Sequence, residues 1–579
     1  MKPTPLQFTV SVAVALSAVA FVHGQGPGDR PAANPRAGRS MVLGTNGMIA
    51  TSQPLASAAG LKVLQDGGNA IDAAITAAAV LAVVEPTMNG VGGDLFALVY
   101  TAADGKLHAL NSSGRSAYTA TPEAFSQRGL KEIPRTGVLS VSVPGVVDGW
   151  SELLSKYGTI QMSQALKPAI GYARNGYAVS EIIATDWATV TRILQRDADA
   201  AATFLPNGRP PAPGQLFKNP NLAATLETIG AGGRDAFYKG PIAQAIAASM
   251  KAKNGLLEAR DFADHHADWV EPISTSYRGY DVYELPPNTQ GITALEMLNI
   301  LEGYDVKSLG HNSAAYIHVS TEAKRIAYAD RDAYIADPDS VPASTVKLLL
   351  SKEYAASRRK EIDPLRAAQR YAPASIGGRT ADAGRQLGYQ VEGRDHGDTI
   401  YMTVADGKGN MVSLIQSLFD TFGSGVVAGN TGIALHNRGS LFTLEPGHPN
   451  RIAPHKRPFH TLIPAFVMKD GKPWMSFGVM GGDMQPPGHV QVLANLIDFG
   501  MNVQEAGESA RFRHTQNGIF LESAIAGRGD VVFALNRMGQ RMQLGVDQWG
   551  GFQGIIRDPL TGILMGGSDP RKDGLAIGF

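Results

Sequence analysis

Apolar positions along the first hundred residues change period several times, and each change marks an element. Phe8 to Val22 is one uncharged apolar run behind Lys2. It is short for a membrane span and ends near Val22-His23-Gly24. It therefore reads as a secretory signal peptide over residues 1–24, followed by a Gly/Pro/Arg-rich spacer from Gln25 to Arg39. Ala56 to Gln65 has helical spacing and stops at Asp66-Gly67-Gly68. Asn69 then caps a helix from Ala70 to Val84 that is apolar all round, the pattern of a buried helix, and Glu85-Pro86 ends it. Past the tight turn Gly90 to Asp94, Leu95 to Thr101 alternates as a strand, and Asp104-Gly105 turns it back into Leu107 to Leu110. Residues 150 to 360 read as mostly helical with loops.

Periodicity lapses from Ala367 to Gly397, a stretch rich in Ala, Gly, Arg and Asp that is expected to be mobile and exposed. Order then returns abruptly. Thr399 to Ala405 alternates, Asp406 to Asn410 is a turn, and Met411 to Ser417 is the returning strand. A chain can be cut at such a junction without unfolding either part. A second hairpin runs from Thr461 to Lys469, turns at Asp470-Gly471-Lys472, and returns from Pro473 to Met480. Gly481-Gly482 stands at its open end. Counting from the turn centres sets Thr399 opposite Ser417 and Thr461 opposite Gly481.

Composition narrows the function. Lys plus Arg equals Asp plus Glu at 52 each, a balance that offers nothing to nucleic acid or to a strongly acidic partner. With no cysteine, disulfides, thiolate nucleophiles and Cys-metal sites are excluded. A leader without cysteines behind it fits a secreted, periplasmic bacterial protein with no stable membrane span. Asp261, Asp264, His265, His266 and Asp268 have no defined metal spacing and read as a solvated helix start. Gly423, Gly425 and Gly429 miss the dinucleotide pattern. Trp549 to Phe552 reads as turn and core. No metal or cofactor is expected. Gly92-Gly93-Asp94 reads as structural, although its amides are placed to line a site.

If the two hairpins stack with their open ends together, a compact site results. Thr399 would be the nucleophile, Ser417 and Thr461 nearby hydroxyls, and the Gly481 and Gly482 amides an oxyanion hole. A Thr hydroxyl needs a base, and no triad signature supplies one. Cleavage between Asp398 and Thr399 would create it, as an α-amino group that titrates at about 7.7–8.0. The alternative is that Thr399 is an ordinary β-forming residue.

From about Gly47 onward the chain resembles the gamma-glutamyltranspeptidase family. The resemblance is carried, in order, by Met48 to Ser57, Gly67 to Ala74, Glu85-Pro86 and Gly92-Gly93-Asp94. It continues through Pro286-Pro287-Asn288-Thr289-Gln290-Gly291, Ala329-Asp330-Arg331 and Gly397-Asp398-Thr399. Phe422 to Gly425, Lys456-Arg457-Pro458, Gly481-Gly482 and Asp569-Pro570-Arg571 complete it. It implies an α+β fold, a four-layer αββα sandwich of the N-terminal-nucleophile hydrolase type, with a largely helical lobe from the large subunit. It implies autoprocessing into a large subunit, 25–398, and a small catalytic subunit, 399–579, paired as a heterodimer. The nucleophile then falls on Thr399, the supporting hydroxyl on Ser417 and the oxyanion glycines on Gly481 and Gly482.

The pattern departs from the family around the substrate. The acidic residue that grips a glutamyl amino group falls on Leu441, with Arg438 nearby. Phe419 replaces a pocket Asn, and His460 and Thr461 replace paired serines. The carboxylate-binding arginine falls on Ser113, with Arg115 two residues on. The loop from Pro446 to Pro458 is short. Arg115 and Arg438 are therefore the candidate cations for a distal carboxylate, with His460 and Thr461 as further pocket residues. The expected activity is transfer or hydrolysis of a γ-glutamyl-type acyl group through acyl-Thr399, to water or to an amino-acid or peptide acceptor. The alternatives are a glutaryl or cephalosporin-type amide acylase and a catalytically inactive secreted binding protein.

Overall fold

The computed structural model describes residues 38–376, 397–543 and 549–579, without the side chains of Gly397 and Asp398. The signal peptide and most of the expected processing segment lie outside the described residues. Met41–Phe579 forms one compact unit.

Two antiparallel seven-stranded sheets carry the fold. One runs Leu575–Gly578, Gly47–Thr51, Gly397–Asp406, Met411–Asp420, Asp94–Thr101, Lys106–Ser112, Asp268–Val270. The other runs Val42–Gly44, Leu564–Ser568, Phe552–Arg557, Lys472–Val479, Ala465–Lys469, Tyr280–Glu284, Ile273–Tyr277. Both hairpins that flank the expected cleavage site and the glycine pair sit at or beside the centres of these sheets.

Alternation along Gly397–Asp406 shows how the layers form. Ile400, Met402 and Val404 pack on the helix Ala70–Val84 and its neighbours, while Tyr401 and Ala405 face the other sheet. The hydroxyls of Thr403 and Ser476 bond across the gap between the sheets. Gly291–Leu301, Ala314–Tyr334 and Gln485–Ile497 cover the outer face of the second sheet, against Val467, Met475 and Phe477. The result is the helix–sheet–sheet–helix sandwich, with helices from Val146–Tyr157 to Pro241–Ala252 forming the helical lobe.

Local chemistry follows the sequence closely at the front. Asn69 caps its helix by accepting the Ile71 and Asp72 N–H groups, and the Asp72 carboxylate takes the Asn69 N–H in return. The turn of the first hairpin is locked by Asp406, which accepts the N–H groups of Lys408, Asn410 and Ala70 at 2.9–3.0 Å. Its register matches the turn-centre count in six consecutive pairs, from Ile400↔Gln416 to Ala405↔Met411.

In several places the structure departs from the pattern in the sequence. The segment from 150 to 360 is not all helix and loop. Asp268–Val270, Ile273–Tyr277 and Tyr280–Glu284 contribute strands to both sheets, the last two joined by a turn with Arg278 and Gly279 at positive φ. Thr461 is not in a strand, which begins only at Ala465. Side chains occupy the ladder groups there: His460 Nδ1 accepts the Leu462 N–H, Gln485 accepts the Ile463 N–H, and Pro464 has no N–H to offer. Residues 367–376 are strapped down rather than loose, by Arg325 to the Ala368 and Gln369 carbonyls, Arg358 to Ala372 and Asp330 to the Ala374 N–H. Asp261 and His265 are buried, not solvated. Asp261 bonds the Glu258 and Tyr118 N–H groups, and His265 stacks on Tyr238. Among the described residues no side-chain cluster suits a metal ion, and no helix is long and apolar enough to cross a membrane.

Candidate active site

Thr399 lies near the start of the central strand Gly397–Asp406, at an irregularity. Between Asp398 and Ile400 the register to the partner strand shifts by one residue, the kind of bulge that re-aims a side chain. Thr399 is buried, and its Oγ1 donates to Ser417 Oγ at 3.2 Å. Ser417 Oγ also accepts the Phe419 N–H at 2.7 Å. Phe419 holds that placement at φ +81, a region that costs a bulky residue about 1–3 kcal/mol. Two guanidinium groups lie over its ring, Arg438 at 4.3 Å and Arg135 at 5.0 Å.

Arg438 is fully buried. Its Nη1 donates to Thr461 Oγ1 at 2.7 Å, while Nε and Nη2 have no hydrogen-bond partner among the described residues. Burial lowers its pKa, against Asp94 and Asp420, to about 9, so it remains cationic at neutral pH. Leu441 stands in an apolar cluster with Phe419, Phe459, Ile292 and Ile335. The nearby acids are already engaged. Asp420 binds Arg135 and Asn437. Asp94 accepts the Gly114 N–H at 2.8 Å and meets His460 Nε2 at 3.1 Å.

Asp94 is the cross-strand partner of Ser417. Burial opposes its charge, but His436, the His460 contact and Arg438 outweigh that and hold the carboxyl well below the ordinary range. His460 has one tautomer open to it: Nδ1 accepts the Leu462 N–H, so the proton sits on Nε2 and faces Asp94. Burial, reinforced by Arg438, pushes its pKa down to about 3, so the ring is neutral.

The glycine pair forms a tight turn, with φ +111 at Gly481 and +56 at Gly482. A Cβ on Gly481 would lie 3.0 Å from the Gly550 Cα, so backbone packs directly on backbone. The Met484 N–H bonds the Gly481 carbonyl at 2.8 Å. Because a trans peptide sets its C=O and N–H on opposite sides, the Gly482 N–H points out of the turn. This turn packs against the strand Gly397–Asp406 that carries Thr399. Contacts thus run from Thr399 through Ser417, Phe419 and Arg438 to Thr461, and the Gln290 amide bonds the carbonyls of both Thr461 and Gly482.

Arg115 lies elsewhere. Gly114 passes so close to the Val143 carbonyl that a Cβ would stand 1.4 Å from its oxygen, and past this point strand alternation no longer sets direction. Arg115 binds Asp268 at 3.1 Å instead. Arg457, which the sequence pattern does not single out as a site residue, fills the space at Ser113. It donates to the Ser113 carbonyl, to Ser113 Oγ at 2.9 Å and to Asn111 Oδ1 at 3.0 Å. The Gly93 N–H is turned into its own loop rather than toward Thr399. Gly93 N bonds Gly90 O, and the Gly92 carbonyl accepts the His436 N–H. Asp94, His436 and Gln290 are likewise site residues without a sequence assignment. Asp94 and Gln290 carry only motif membership as a signal, because burial beside a distant loop leaves no periodicity.

A central strand carrying a buried Thr near its start, within a four-layer sandwich and beside a glycine turn, fits an amidohydrolase or acyltransferase of the N-terminal-nucleophile class. The gamma-glutamyltranspeptidase profile matches residues 56–579. This chain belongs to that family. It is 37% identical over 548 residues to the glutathione hydrolase-like YwrD proenzyme of Bacillus subtilis (strain 168), covering 93% of this chain and 99% of that one. It is 36% identical to the acylase ACY 1 proenzyme of Pseudomonas sp. (strain SE83), covering 92% and 94%. The crystal structure of cephalosporin acylase from Bacillus halodurans superposes with a TM-score of 0.85 at 42% identity, covering 97% of this chain and 99% of that one. Family members are proenzymes, and the activity common to them is N-terminal-nucleophile hydrolysis or transfer of an acyl group.

Proposed function

We propose that this protein is an autoprocessing acylase for amides of amine-free, carboxylate-tipped acyl groups of the glutaryl type. The observation that carries the reading is Arg438: a buried cation with two unused donors, stacked on Phe419, whose apolar cluster includes Leu441 and Phe459. Its planar fork suits a carboxylate. The apolar wall at Leu441 offers an ammonium no anionic partner. Likeness to two acylases points the same way.

Cleavage before Thr399 frees its α-amino group. That amine takes the hydroxyl proton, Oγ1 attacks the amide carbonyl, and the Gly481 and Gly482 N–H groups receive the negative oxygen. The resulting ammonium gives its proton to the leaving amine, and water then attacks the acyl-Thr399 ester by the same steps reversed. Ser417 Oγ accepts from the Thr399 hydroxyl before the attack and so holds the nucleophile in place.

The test is kcat/KM for glutaryl and γ-glutamyl anilides on processed protein. Glutaryl amides should be turned over at least as well. A preference above about a hundredfold for γ-glutamyl, roughly 2.7 kcal/mol, rejects the reading and favours a γ-glutamyl hydrolase or transferase.

A further inference from the structure

Gln290 stands between the two walls of the site. It is fully buried in the turn that precedes the helix Gly291–Leu301, and its side chain does not cap that helix. Its amide nitrogen donates to two carbonyls, Thr461 O at 2.8 Å and Gly482 O at 3.0 Å. Its amide oxygen accepts Arg331 Nη1 at 2.8 Å. The orientation is forced, because a guanidinium only donates and a peptide carbonyl only accepts. Arg331 is in turn fixed by Asp483, the residue after the glycine pair, at 2.8 Å. The Gln290 backbone N–H also bonds the His460 carbonyl at 3.0 Å.

We propose that Gln290 is a positioning residue that sets the distance between acyl recognition and oxyanion stabilisation. One amide group holds Thr461, whose hydroxyl receives Arg438, and Gly482, whose N–H leaves the turn. The span from the Arg438 guanidinium to the Gly482 amide is then fixed by a single rigid group, with Arg331 setting its angle. An acyl chain whose carboxylate reaches Arg438 has its amide carbon delivered to the glycine turn, and the carbonyl pinned by Gln290 keeps that turn from rotating. The inference rests on the assignment of Arg438 and the glycine turn made above.

Gln290→Glu is the sharpest variant. It keeps size and keeps an acceptor for Arg331, but turns an acceptor toward two carbonyl oxygens. Gln290→Ala removes the group altogether. Processed protein should be assayed with glutaryl anilide and with butyryl anilide, which lacks the distal carboxylate. Misplacement of oxyanion donors costs on the order of 10²-fold, so kcat for the glutaryl substrate should fall about that far in both variants. KM should stay within about threefold, because Arg438 still binds. The advantage in kcat of glutaryl over butyryl should shrink in both. Loss confined to KM, unchanged kcat, or failure of both variants to yield folded protein by circular dichroism overturns the proposal. If γ-glutamyl substrates prove strongly preferred while Gln290→Glu still lowers kcat and not KM, the substrate reading falls and the positioning role stands.

Discussion

At the residue scale, selectivity in the proposed acylase falls to Arg438 and Leu441. Arg438→Lys keeps the charge but loses the planar fork, which in charge-assisted pairs is worth about 1.5–3 kcal/mol. The expected outcome is a fall of about ten- to hundredfold in kcat/KM on glutaryl anilide, with little change on butyryl anilide. Leu441→Asp should move the γ-glutamyl-to-glutaryl ratio upward by about tenfold or more, since an ammonium gains its partner. A ratio that does not move would place Leu441 outside the pocket. Asp94 underlies Arg438 electrostatically. Its folded-state pKa lies below the unfolded value of about 3.9, so its charge contributes stability above that pH and loses the contribution only in stronger acid. Asp94→Asn, measured by urea unfolding in a single-chain Thr399→Ala background, should therefore cost about 3 kcal/mol at pH 7 and the same at pH 5. At this scale Thr399, Ser417 and the glycine pair could be named from motif and turn-centre counting, and the structure sets Thr399 Oγ1 against Ser417 Oγ although the register itself breaks beside Thr399 and before Thr461. Arg115 and Gln290 were not legible in this way. What decides between Arg115 and Arg438 is the tight passage at Gly114 and the burial of residue 438, neither of which has a sequence period.

The element that matters most is the hairpin Gly397–Asp406 and Met411–Asp420, since it carries both Thr399 and Ser417. Its turn depends on Asp406, which satisfies two turn N–H groups and also ties the hairpin to the start of the helix Ala70–Val84. Asp406→Ala leaves these donors without their acceptor and should lower stability by about 3 kcal/mol, while Asp406→Asn should lose less. Denaturant midpoints of the two variants check this. The second hairpin shows where counting residues fails. Its register is as expected from Ala465↔Phe477 to Val467↔Met475, yet the ladder stops before Thr461. Side chains of His460 and Gln485 take over the backbone donors there, and a pattern of alternating residues does not reveal which partner satisfies a backbone group.

For the whole molecule, the prediction is conversion of one chain to two without added protease. The small subunit should begin Thr-Ile-Tyr-Met, and Thr399→Ala should remain a single chain on a denaturing gel. Any other N-terminus removes Thr399 as the nucleophile. Activity of the processed enzyme should rise with pH through an apparent pKa near that of an α-amino group, about 8, because the free base is the active form. Retention of turnover after verified acetylation of that amine would place the base elsewhere.

Sequence alone determined the buried helix Ala70–Val84 and its Asn69 cap and the two hairpins. These are set by neighbours a few residues apart: capping spacing, turn chemistry and strand alternation. It also determined, through many short motifs in order, the family and with it the four-layer sandwich. Tertiary structure alone decided that Arg438 is buried on Phe419 while Arg115 pairs with Asp268, how Asp94 is held and that Gln290 joins Thr461 to Gly482. Those outcomes rest on groups far apart in sequence, 171 positions between Gln290 and Thr461 and 366 between Asp94 and His460. Their partners are chosen by the stacking of two sheets, and by the cost of leaving polar groups unpaired where they are buried.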